Sequence, residues 1–113
     1  MVKSNDNSAY NRGQELLDQG LYMEAIQQFD ESLKEQPDSW KTLNSKGFAY
    51  QKMSKYTEAV ECFDKALQIN PQSVEVLNNK GVTLSMRGLY KDAIACFDQA
   101  VAVDGTSLEA LNG

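Results

Sequence analysis

The chain has 113 residues, 42% of them hydrophobic and 24% charged, an ordinary composition that fits one domain with a modest core. A net charge of -5 excludes a general nucleic-acid binder, which needs a basic surface to displace counterions from phosphate. Histidine is absent, which removes the commonest metal ligand and the commonest general base, so no metal or cofactor is expected.

From the start of the chain, Met1–Asn7 is polar and lacks the apolar stretch of a secretory leader. No apolar run approaches the roughly 18 residues of a membrane span. A cytoplasmic protein with no membrane partner is expected. The first copy of an internal repeat covers about residues 6–39. Its first helix carries Ala9, Gly13 and Leu16, Gly20 marks a turn, and its second helix carries Ala25 and Phe29 before Pro37.

The second copy, about 40–73, is the clearest. Leu43, Gly47 and Tyr50 recur at i, i+4 and i+7, one face of a helix, and Ala59, Phe63, Ala66 and Leu67 mark a second. Met53–Tyr56 reads as the turn between them, with Ser54 at the place of Gly20 and Gly88. Pro71 closes the second helix as Pro37 does, because proline disfavours helix in the residue before it. A short turn makes the two helices antiparallel, so each copy is predicted to be a helical hairpin.

The third copy, about 74–107, repeats Leu77, Gly81, Ala93 and Phe97, with Gly105 in place of the proline. The 34-residue step links Gly13, Gly47 and Gly81, and equally Tyr22, Tyr56 and Tyr90, or Asp30, Asp64 and Asp98. Mid-helix glycine costs about 1 kcal/mol against alanine. Close approach to Ala25, Ala59 and Ala93, with the adjoining phenylalanine filling space, is the packing return expected for it. Finally, Leu108–Asn112 aligns with Val74–Asn78, so residues 108–113 are expected to begin a fourth repeat or a capping helix. The chain then reads as one domain and as a piece of a longer array, or one whose apolar end near Val101 and Val103 packs on a neighbour.

These residues resemble the tetratricopeptide repeat family, whose signature is a 34-residue helix–turn–helix with the pattern W-x₂-L-G-x₂-Y…A-x₃-F…P. The resemblance covers about residues 6–107. It implies an all-α fold, an α–α superhelix (solenoid) of three hairpins, with the first helix of each lining a concave groove. It further implies a protein–protein interaction module that binds an extended peptide or a partner protein there. The groove residues it points to are Lys41, Asn44, Phe48 and Gln51 on the second hairpin, Tyr10 and Gln14 on the first, and Asn78 and Val82 on the third, with Asn11 and Asn79 at the edge. Asn44 and Asn78, one repeat apart, suggest a carboxamide ladder for a peptide backbone.

Some family members clamp the acidic C-termini of heat-shock chaperones with lysines, asparagines and an arginine. Here the corresponding places hold Tyr10, Gln14, Ser45, Glu75 and Asn79, so that role is not expected. Arg12, Lys46 and Lys80 form another series on nearly the opposite side of the first helices, where long basic side chains can cover apolar surface with their stems. The first helices hold more bases than acids and the second helices more acids than bases, so the acidity lies on the outer layer. No G-x-S-x-G, P-loop or H-E-x-x-H occurs, so no enzyme is expected. The alternatives are a self-assembling structural segment joined through its apolar ends, or the recognition part of a longer enzyme. Cys62 and Cys96 lack a C-x-x-C spacing and read as free thiols.

Overall fold

A computed structural model describes residues 8–112 and contains six helices in antiparallel pairs: α1 (Ser8–Asp18), α2 (Tyr22–Glu35), α3 (Trp40–Lys52), α4 (Tyr56–Ile69), α5 (Val74–Met86) and α6 (Tyr90–Asn112). The pairs α1–α2, α3–α4 and α5–α6 are the three predicted hairpins.

Each hairpin turn closes the same way. The Gly20 N–H donates to Leu17 O and the Leu21 N–H to Leu16 O at 2.9 Å. Ser54 with Lys55, and Gly88 with Leu89, repeat this pattern. Such a closure holds its residue in the left-handed region, where φ is +81° at Gly20 and +83° at Gly88. Ser54 takes the same conformation, φ +61°, with a side chain that glycine would spare.

Between hairpins the serine after each Pro-containing turn caps the next helix. Ser39 Oγ accepts from the Thr42 N–H and Ser73 Oγ from the Val76 N–H, both at 3.3 Å, satisfying donors that a helix start leaves open. The third copy differs. Where the other copies have proline, α6 runs on through Gly105, for 23 residues in all. Glycine keeps the N–H that proline lacks and does not clash with the preceding turn, so nothing local stops the helix. Residues 108–112 prolong α6.

Inside each hairpin the glycine faces a phenylalanine ring. A Cβ on Gly47 would lie 2.6 Å from Phe63 Cε1, and one on Gly81 would lie 2.6 Å from Phe97 Cε1. The ring itself, more than the alanine, requires the missing side chain. Phe29 and Phe63 are fully buried, and Leu43, Ala59, Phe63, Ala66 and Val76 form a core spanning α3, α4 and α5. Leu33 of α2 packs against that core, and Val60 of α4 packs against Leu84, Ala93 and Cys96 of the third hairpin. Each hairpin is thus completed by the next.

The curvature follows from which helices touch. Among the described residues the backbone of α1 comes close to that of α3, and α3 to α5, whereas α2 and α4, and likewise α4 and α6, keep their backbones apart and touch only through side chains. The first helices crowd and the second helices splay, so the stack bends toward the first-helix side.

Candidate functional site: the first-helix face

The side chains on the inner layer divide into two groups. One group belongs to the seams between hairpins. Asn44 is 4% exposed, and its Oδ1 accepts from Asn79 Nδ2 at 3.0 Å. Gln51 is also buried, donating through Nε2 to Thr83 Oγ1 at 2.7 Å, and that hydroxyl donates in turn to Asn79 O. Both bonds join α3 to α5. Asn44, Gln51 and Asn79, expected on the ligand-facing stripe, are thus engaged with one another and with Thr83 across the seam, because the first helices crowd there. Asn44 and Asn78, equivalent in sequence, are consequently unlike, since Asn78 is exposed. Tyr10 is half-buried against Phe29, with ring centroids 6.1 Å apart.

The second group remains open. Gln14, Phe48 and Val82 occupy the same place on successive hairpins and form a row across the inner face. Phe48 is half-buried and Val82 exposed. The Gln14 Oε1 is buried without a hydrogen-bond partner among the described residues. An acceptor in that state costs about 1–3 kcal/mol. Beside the row lie Lys41, Lys52, Asn78 and, with the opposite charge, Glu75, all exposed. The Lys52 ammonium sits 5.1 Å from the Phe48 ring centroid and Lys41 sits 5.9 Å from that of Trp40. Such contacts hold the cations over apolar surface at little cost. Asn11 is exposed on α1, and its register is that of Asn79, which faces the preceding hairpin. It therefore lies on the side of α1 turned away from the second hairpin, apart from the row.

The basic series was only partly legible. Lys46 and Lys80 do lie half-buried along the stack, and each also reaches an acid of the preceding hairpin: Lys46 Nζ to Asp30 and Lys80 Nζ to Asp64, both at 2.7 Å. The signal was present as two 34-residue series offset by 16. For Lys46, burial disfavours the cation, but the hydrogen bond and charge of Asp30 outweigh it and raise its pKa. Arg12 meets no acid of a preceding hairpin among the described residues and donates through Nε to Gln28 Oε1 at 3.0 Å. A shallow recess of about 430 Å³ at the α2–α3 turn, lined by Gln36, Pro37, Asp38, Ser39, Trp40 and Lys41, carried no sequence signal. No group of three or more potential ligands for a metal occurs among the described residues. No helix among them is long and apolar enough to cross a membrane.

The fold and this inner face define a helical-repeat scaffold. Models described as "Tetratricopeptide repeat" match residues 10–50, 40–73 and 62–95, together most of the chain. The chain belongs to the tetratricopeptide repeat family. Solved structures agree in fold. The crystal structure of MamA superposes with a TM-score of 0.85 at 18% identity, over 89% of this chain and 59% of that one. The TPR2B domain of yeast Sti1, in complex with pHsp70, gives 0.85 at 21% identity, covering 88% and 80%. The second TPR domain of human RPAP3, in complex with the HSP70 peptide SGPTIEEVD, gives 0.82 at 19% identity, covering 87% and 82%. Matched to MamA, the chain spans just under three-fifths of the other's length. No curated protein matches the sequence.

Proposed function

We propose that this non-catalytic module binds an extended peptide segment across the Gln14–Phe48–Val82 row. The observation that carries the reading is the row itself: apolar surface at two hairpins and an unpartnered acceptor at the third. A peptide amide would satisfy Gln14 Oε1 once the side chain turns outward, an apolar ligand side chain would seat on Phe48, and acidic groups would pair with Lys41 and Lys52. That several neighbours of this fold are solved with peptides bound supports the class of ligand. We do not extend to this chain a clamp for a terminal carboxylate, because Tyr10 packs on Phe29, Asn79 is tied to Asn44 and Glu75 has the wrong sign. Neither nucleic acid nor membrane fits the charge and helix pattern, and two free thiols fit a reducing, cytoplasmic setting.

Selection of peptides from a random display library on the immobilised protein tests the reading. Selected peptides should combine an apolar residue with acidic ones and should bind equally well with a free or an amidated C-terminus. Phe48→Ala should weaken them about tenfold or more, the loss usual for a central anchor. Lys41→Glu with Lys52→Glu should weaken them further, while Glu61→Ala on the outer layer should not. Asn44→Ala is a poor probe, because it opens the α3–α5 seam. Retention of binding in Phe48→Ala with its loss in Glu61→Ala would place the ligand on the convex side and end the proposal.

A further inference from the structure

The third hairpin repeats the face that docks the next hairpin in the first two, but nothing among the described residues covers it. Three series show this. Ile26 is 5% exposed and Val60 half-buried, while Ile94 is 58% exposed. Tyr22 and Tyr56 are half-buried and Tyr90 is 64% exposed. Leu33 and Leu67 pack on the core and Val101 is 67% exposed. The charges follow suit. Asp30 and Asp64 each receive a lysine from the next hairpin at 2.7 Å, and exposed Asp98 at the same place has no ion pair among the described residues.

What the open face needs can be read from the formed junctions: both bring a first helix with a cation 16 residues beyond the acid, and the second, where an asparagine stands at the place of Asn44 as Asn78 does on the open face, adds an amide one place before that cation to meet it. The first helix of this same chain has both. Arg12 holds the register of Lys46 and Lys80, and Asn11 holds that of Asn79. We propose that the open face of α5–α6 docks α1 of a second copy, head to tail. Arg12 of the second copy then meets Asp98, and Asn11 of the second copy meets Asn78 as Asn79 meets Asn44. Ile94 takes the part of Val60, with Leu16 of the second copy where Leu84 stands in the formed junction. The polar character of α1 is no obstacle, since the helix faces that enter the formed junctions are themselves mixed, with Thr42, Ser45 and Lys46 on α3 and Asn79, Lys80 and Thr83 on α5. One residue is out of keeping. Glu15 stands where Ala49 and Thr83 are fully buried, and its charge weakens the junction. Because the two surfaces differ, the interface is heterologous and does not close at a dimer.

Sedimentation velocity of the 113-residue chain over a range of concentrations tests this, with circular dichroism as a check on folding. Average mass should rise with concentration past the dimer. Ile94→Asp should weaken association more than about tenfold, since it places a charge in an apolar contact. Asp98→Lys and Arg12→Asp should each weaken it about three- to tenfold, and the double variant should recover it, as expected for a partly exposed pair. Glu15→Ala should tighten it. Every substituted side chain is exposed, so folding is preserved. A chain that stays monomeric throughout overturns the proposal. So does association indifferent to Ile94→Asp, or a charge-swapped double variant no better than the singles.

Discussion

The second and third hairpins carry the same side chains at the same places and put them in different surroundings. Phe63 is fully buried and Phe97 half-buried; Asp64 is paired with Lys80 and Asp98 has no such lysine; Val60 is covered and Ile94 open. The repeat unit therefore supplies only one wall of its own core. The other wall is the following hairpin, which the second hairpin has within the described residues and the third does not. Stability in such a stack is shared among neighbours and is greatest in the middle.

The largest test of that contrast is the aromatic pair. Phe63→Ala should cost about 3–5 kcal/mol, the range for a fully buried aromatic, and Phe97→Ala distinctly less, because its ring gives up fewer contacts. Urea unfolding midpoints read both. Equal losses would mean that the third hairpin is covered as fully as the second.

The thiols sharpen it next. Burial pushes Cys62 up to about 11 from an ordinary 9.0, and burial raises Cys96 as well. The folded chain holds these protons more tightly than the unfolded one. The corresponding stability is complete below the ordinary value and is lost as pH climbs from about 9 toward 11, a loss on the order of 2 kcal/mol for Cys62. Thermal midpoints should fall through that window, and Cys62→Ala should flatten the fall more than Cys96→Ala.

The inner row offers a smaller effect of opposite sign. Gln14 occupies the place that Phe48 and Val82 hold in the other hairpins, and its oxygen is buried without a partner. Gln14→Met should raise stability by about 1 kcal/mol in thermal unfolding while weakening any bound peptide. A destabilised variant would show that the amide is satisfied within the fold.

The smallest effect distinguishes a joint from a free acid. Asp64→Asn should cost about half a kcal/mol, as its carboxylate is half exposed and screened, and Asp98→Asn should cost the monomer nothing measurable. Unfolding at low and high salt separates them, because only the first loss should shrink as salt is raised.

Much of this architecture was legible in the amino acids alone. A mid-helix glycine, a recurring small residue and phenylalanine in the partner helix, a turn at Gly20, Ser54 and Gly88, and a proline after the second helix are local demands, and a 34-residue period exposes them wherever they recur. These determined the helices, the turns and the hairpin pairing. The loss of proline at position 105 was equally visible, yet its consequence was not: whether a helix stops there depends on competing continuation, and without proline's steric block α6 continued. The site divided along the same line. Periodicity placed Asn44, Gln51, Phe48 and Lys41 on one side of α3, but a face is only a direction until its neighbour is in place. The first helices crowd while the second splay, and that tertiary fact alone drew Asn44 and Gln51 into hydrogen bonds with α5 and left Phe48, Val82 and Gln14 as the open row. A side chain's type and register are properties of the chain, whereas its availability depends on distances between helices that only packing decides.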